Sequence, residues 1–422
     1  MTKNIFILNF FKFYNIVWKL SLPFLKTAKR LKYGFEKRKS SFHHSKADIW
    51  IQAASAGEAY LAVNIIQTLN PKTNIKILVT STTSQGIDIL ETRLTKKTFN
   101  RFIELKIEWF PFDMPDTIEK AVKTINPTIM LLLETEIWPA LLYYLKKNKN
   151  KIFIINARLS RKSFNHYMKT RFLWKHLSPD IILAISNLDA KRYQCLFDNT
   201  IVKTMPNIKF ESMRAERPDT QALEQIKKNL PHALPLTILA SIRKQEEKET
   251  ILLIKEILKM FPRQIVAIFP RHMHRVSPWK KLLNSHNLNF HLRSKIFAPL
   301  TNPGIILWDT FGELKTAYSL ASIVFVGGSL KPLGGQNFIE PAMKGAVTVT
   351  GPYYDDFAWA GDDIFNKKIV IKKKSWQAVA KTIQKTLENP VKNTDQILVT
   401  QNYIKSNQGG TLQACNEILK NL

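Results

Sequence analysis

Cysteine is scarce, with Cys195 and Cys415 the only two among 422 residues. No Cys-x-x-Cys spacing exists, so neither a disulfide framework nor a thiolate zinc site is indicated, and a reducing cytoplasm fits. Glycine occupies only 14 positions and proline 20, too few for a fibrous repeat or a low-complexity chain. Acidic residues number 33 against 63 Lys and Arg, a net charge of +30, which excludes acidic disorder. No zinc-finger spacing and no aromatic RNA-binding signature accompanies that charge. The excess therefore points to anionic ligands or an anionic surface, not to nucleic acid. Gly-x-x-x-x-Gly-Lys-Ser is absent, which excludes an ATP-hydrolysing P-loop, and so is Asp-x-Asp, the usual motif for a metal-bridged sugar nucleotide.

What is present is a globular chain, 45% apolar, whose length exceeds the reach of one core and makes two domains the expectation. Residues 1–50 hold eleven Lys or Arg against Glu36 and Asp48, a net of +9. Within them, residues 5–25 are dominated by aromatic and aliphatic side chains. Asn9, Lys12, Asn15 and Lys19 interrupt that run on one helical stripe. A broad apolar face, a narrow polar stripe and a basic run after it suit a helix lying in a membrane interface. Spanning is disfavoured, because Lys12 near the midpoint costs about 2.5–3.5 kcal/mol in hydrocarbon. A cleaved signal peptide is disfavoured for want of a small-residue cleavage site. A helix packed on the protein's own core is the alternative.

Short apolar runs at 48–53, 75–80, 128–133, 151–155 and 181–185 alternate with helical stretches, and a second series follows at 236–240, 264–269, 304–307, 322–326 and 346–349. Each half reads as a parallel sheet covered by helices, with a charged linker near Pro218. The expected organisation is an anchor segment 1–46, a Rossmann-like domain 47–215 and a second one 216–422. In such sheets ligands gather beyond the carboxyl ends of the strands, so motifs there carry the chemistry.

Ser55-Ala-Gly-Glu58 ends the first run. It is a capping box, in which Glu58 returns to the Ser55 N–H, or it presents Glu58 as a general base. Glu134-Thr-Glu136-Ile-Trp-Pro139 places two carboxylates beyond another run, for a site or, through Glu136, to cap the next helix. Asn156-Ala-Arg-Leu-Ser160 offers Arg158 to an anion. Pro270-Arg-His-Met-His-Arg275 clusters Arg271, His272, His274 and Arg275, a set suited to phosphate or carboxylate. Asp309-Thr-Phe-Gly-Glu313 is a turn that lines a pocket or caps a helix. The segment from Val324 to Pro341 carries the pairs Gly327-Gly328 and Gly334-Gly335 before Asn337-Phe-Ile-Glu340. Gly pairs let backbone N–H groups approach a phosphate, and Glu340 is placed to face a ribose diol.

Taken in order, IWIQAASAGE, LLLETEIWP, NARLS, NIKF, IFPRH, FGEL and FVGGSLKPLGGQNFIEP resemble the 3-deoxy-D-manno-octulosonic acid (Kdo) transferases of Gram-negative bacteria, over residues 48–355. That resemblance implies a GT-B fold, two Rossmann-like α/β domains with the active site in the cleft between them, and a basic N-terminal membrane anchor on the cytoplasmic side of the inner membrane. It implies transfer of Kdo from a CMP-Kdo donor to a lipid A precursor with inversion, and neither metal nor cofactor. By motif, Glu58 matches the proton acceptor, and Glu134 and Lys209 match residues that stabilise the transition state. Pro270 and Arg271, then Phe311, Gly312 and Glu313, then Asn337, Phe338, Ile339 and Glu340, match CMP-contacting segments. Ile242, Arg243 and Gln245 depart from a Ser-Thr-His-x-Gly-Glu-Glu pattern, and Pro206 stands for a usual Gly before Lys209. The rivals are a GT-B enzyme using a UDP-sugar and a non-catalytic basic protein that binds membranes.

Overall fold

The computed structural model describes residues 2–27, 34–39, 46–213, 220–230, 234–300, 302–389 and 393–422. Lys29, Arg30, Lys32 and the linker expected at Pro218 lie outside the described residues. The chain divides into two compact units, Met1–Met213 with Asn407–Leu422, and Arg214–Ser406.

The first unit is built on seven parallel strands: β1 (Ile49–Ala53), β2 (Ile75–Ser81), β3 (Ile103–Trp109), β4 (Ile129–Leu133), β5 (Lys151–Ala157), β6 (Ile181–Ala184) and β7 (Ile201–Thr204), in the order β3-β2-β1-β4-β5-β6-β7. Every residue of β1 and β4 is buried, as expected of parallel strands covered on both faces. The winding reverses between these two strands. Their carboxyl ends therefore border a crevice.

The expected second domain runs to residue 422, but Asn407–Leu422 belong to the first unit. Helix Gly410–Asn421 packs on helix Ala56–Thr68, and Ala414, Cys415 and Ile418 join the core of the first unit. Gly410 permits this approach, since a Cβ there would sit 2.0 Å from the Pro206 carbonyl oxygen.

The N-terminal helix Thr2–Thr27 is docked on the same unit by one face. Ile7 and Phe11 are buried in its core, Phe11 stacks on Tyr143 at 4.2 Å, and the Tyr14 hydroxyl donates to Asp113 at 3.1 Å. Lys19 pairs with Asp116 at 2.7 Å. The opposite face is open: Phe13, Ile16, Val17, Leu20 and Phe24 are exposed, Phe24 by 77%. Helix on own core and helix with a free apolar face are thus both realised, on opposite sides. Among the described residues no helix is long and apolar enough to cross a membrane.

The second unit repeats the design with β8 (Leu236–Ile242), β9 (Ile265–Pro270), β10 (Phe290–Leu292), β11 (Ile305–Leu307), β12 (Ala321–Val326), β13 (Val347–Thr350) and β14 (Val370–Lys372). All are parallel, in the order β10-β11-β9-β8-β12-β13-β14, with the reversal between β8 and β12.

Ile418 has no solvent exposure, whereas Leu412 on the same helix is 58% exposed. Ile418→Ala is expected to lower stability by about 2–4 kcal/mol, read as a fall in the urea midpoint of the full chain, while Leu412→Ala leaves the midpoint nearly unchanged.

Candidate functional site

In the first unit, β1 delivers its chain to Ser55, whose extended backbone and side chain cap helix Ala56–Thr68 by accepting from the Glu58 N–H. The Glu58 carboxylate folds back, accepting from the Ala54 N–H at 2.8 Å and from the Ser55 hydroxyl at 3.0 Å. The capping arrangement expected from the sequence therefore exists, but it closes on Ala54 instead of Ser55. It leaves Glu58 only 6% exposed. Burial first, then the charges of Glu136 and Glu134, push its pKa up to about 8. Glu136 rises to about 7, again by burial and by Glu134. Three carboxylates thus converge beyond β1 and β4.

Glu136 does not cap the next helix. Asp113 does so, accepting from the Ala140 and Leu141 N–H groups at 3.0 and 2.9 Å. Glu134 sits in the left-handed region at φ 54, an uncommon conformation for a residue with a side chain, and pairs with Lys209 at 2.5 Å. The loop carrying Lys209 is fixed from beneath. Asn207 accepts from the Lys209 N–H at 2.9 Å, and the buried Asn156 accepts from the Ile208 N–H at 2.9 Å. From the NARLS motif the sequence favours Arg158, yet it is Asn156 that ties β5 to the Lys209 loop. The structure thus brings Glu58, Glu134 and Lys209 to one end of the first sheet.

In the second unit, Pro270 and Arg271 end β9, and the Arg271 N–H donates to the Ile242 carbonyl at 2.9 Å, which sets Arg271 beside Arg243 at the end of β8. The imidazole of His272 is held below its usual range by desolvation and by the charges of Arg271, His274 and Arg243. Arg275 does not join this cluster, because it forms a two-point ion pair with Glu247 at 2.9 and 2.6 Å. The Nε of Arg243 is buried without a hydrogen-bond partner. Burial, and then the charge of Glu340, push the pKa of the buried Tyr318 up, against a smaller opposing effect of Arg271.

Three expectations change here. The N–H groups of Gly328, Ser329 and Leu330 do not stand open to a phosphate: the fully buried Glu246 carboxylate accepts all three, at 2.5, 2.8 and 2.6 Å. Asn337 is a cap, accepting from the Ile339 and Glu340 N–H groups at 3.0 and 3.4 Å, and the helix it starts, Ile339–Met343, has five residues and little dipole. Phe338 and Ile339 are fully buried, so their side chains serve packing. The Glu313 carboxylate is taken up by Trp308 at 2.7 Å, Thr310 at 2.6 Å and Arg293 at 3.1 Å and does not cap a helix. Beside it Phe311 is 91% exposed, next to Gly312 at φ 91.

A family model described as 3-deoxy-D-manno-octulosonic-acid transferase (kdotransferase) matches residues 26–212, which contain Glu58, Glu134 and Lys209. Over that segment, and more loosely over most of its length, the chain is similar to Kdo transferases. It is 28% identical over 396 residues to a bifunctional glycosyltransferase/methyltransferase of Fusobacterium nucleatum, covering 91% of this chain and 60% of that protein. It is 28% identical over 315 residues to the 3-deoxy-D-manno-octulosonic acid transferase of Haemophilus influenzae, covering 73% and 71%. In structure it is similar to a glycosyltransferase of Rickettsia africae, with a TM-score of 0.59 and 14% identity over 90% of this chain and all of that one. It is also similar to a UDP-GlcNAc 2-epimerase of Neisseria meningitidis, with a TM-score of 0.53 and 13% identity over 88% of this chain and 98% of that one. At such identities these likenesses show the fold alone, a pair of Rossmann-like units of GT-B type.

A carboxylate whose folded pKa exceeds its unfolded one takes up a proton on folding. Its contribution to stability is present at low pH and is lost as pH rises through about 8. Glu58→Gln, which stays neutral, is expected to match wild type in urea midpoint at pH 5 and to exceed it at pH 9 by on the order of 2 kcal/mol.

Proposed function

We propose that the protein transfers Kdo from CMP-Kdo to a lipid A precursor in lipopolysaccharide biosynthesis, as an inverting, metal-independent glycosyltransferase with Glu58 as general base. The observation that carries this reading is the buried Glu58 at the carboxyl end of β1, raised to about 8 beside two further carboxylates within a Kdo-transferase domain. A base poised near the working pH draws the proton from the attacking hydroxyl as its oxygen bonds to the anomeric carbon. The bond from that carbon to the donor phosphate breaks, and its electron pair leaves with CMP. Arg271, with Arg243 beside it, offers positive charge to the departing phosphate, and exposed Phe311 offers a face to the base. Glu134 and Lys209 form a fixed ion pair in the first unit and stabilise the charge that develops around the acceptor.

The lipid IVA acceptor and the membrane surface belong to the same proposal. The free apolar face of the N-terminal helix, flanked by Lys12, supports docking on the cytoplasmic side of the inner membrane, the helix lying along the surface.

Incubation with CMP-Kdo and tetra-acylated lipid A precursor, followed by mass spectrometry, is expected to give the Kdo-bearing lipid, while UDP-N-acetylglucosamine gives no product. Transfer from the UDP-sugar alone overturns the assignment. The rate should rise with pH along a limb near 8 as Glu58 loses its proton. Glu58→Gln should lower kcat at least about a hundredfold with CMP affinity retained.

A further inference from the structure

Between residues 367 and 385 the chain carries seven lysines and neither Asp nor Glu. The second unit folds this stretch around a groove of about 600 Å³, between β14 and helix Trp376–Glu388, lined by Lys368, Lys372, Lys373 and Lys385 beside the apolar Val370 and Ile371. None of these lysines forms an ion pair among the described residues, and Lys372 lies instead over the Tyr354 and Phe365 rings, 5.0 Å from each centroid. Lys381 and Lys385 stand one helical turn apart, a repulsive spacing. β14 is an edge strand of its sheet, and the groove opens beside it.

Like charges gathered without counter-charges cost stability, and an anionic occupant relieves that cost. We propose that this groove is a membrane-binding site that takes the phosphates of acidic phospholipid headgroups, separate from the N-terminal helix and from the strand-end residues of the transfer reaction. Nucleic acid fits less well, because Lys372 already lies over a face of each of the Tyr354 and Phe365 rings that bases would stack on. An apolar wall beside the lysines suits the glycerol of a lipid, and lysines beside an anionic bilayer each add to binding. The inference does not depend on the transferase reading.

Flotation of the full chain with phosphatidylcholine vesicles, with and without phosphatidylglycerol, tests it, on wild type and on the triple variant Lys368→Gln/Lys373→Gln/Lys385→Gln. The triple variant is expected to lose on the order of tenfold to a hundredfold in affinity for phosphatidylglycerol vesicles and to keep its affinity for phosphatidylcholine alone. Phe13→Ser/Leu20→Ser, on the N-terminal helix, should weaken binding to both. The Lys→Arg triple variant should bind like wild type, which separates lost charge from lost fold. Unchanged binding of the Gln variant to phosphatidylglycerol overturns the proposal. So does a loss confined to tRNA or to inorganic phosphate.

Discussion

A carboxylate can be buried at the end of a parallel strand only if hydrogen-bond donors meet it there, and both units are organised around that constraint. In the second, Glu246 receives three backbone N–H groups from the loop after β12 and so welds the two strands that border the switch point. In the first, Glu58 receives one backbone N–H and one hydroxyl, with two other carboxylates for company. Similar placement thus has opposite consequences. The fully satisfied carboxylate becomes a structural clasp, and the under-satisfied one has its pKa raised to about 8.

The same accounting explains the N-terminal helix. Its Ile7 and Phe11 side satisfies the first unit's core, and Tyr14 reaches the buried Asp113 that also caps the helix after Trp138. That leaves the Phe13, Leu20 and Phe24 side with no apolar partner among the described residues. One helix with two apolar faces joins an exposed apolar surface to the strand β4 region, since Asp113 anchors the element that follows Glu134 and Glu136.

What the sequence made legible follows burial. The apolar runs matched β1, β2, β4, β5, β6 and their counterparts in the second unit, because central parallel strands are covered on both faces. The four strands they did not reveal, β3, β7, β10 and β14, are the edges of the two sheets. Glu104, Lys106 and Glu108 break β3 into alternation, and β7 has no buried residue. Edge strands face solvent and tolerate charge, so no run marks them. Glu58, Glu134 and Lys209 were legible as motifs at strand ends. Asn156 and Glu246 were not, because their bonds join segments distant in sequence. The glycine pairs misled for a related reason: glycine shows that a backbone approaches something closely, and here Glu246 in the same chain supplied the partner of Gly328.

The pairing of Glu134 with Lys209 also bears on which carboxylate can act as base. The Lys209 ammonium, 2.5 Å away, engages Glu134 in an ion pair. Among the described residues Glu58 forms no ion pair, and its two carboxylate neighbours make each further negative charge costly. Uptake of a proton neutralises Glu58 and relieves that repulsion, so burial and the field of Glu136 and Glu134 favour the protonated carboxyl. Glu134, directly after β4, reaches Lys209 from a left-handed backbone that costs a residue with a side chain some strain.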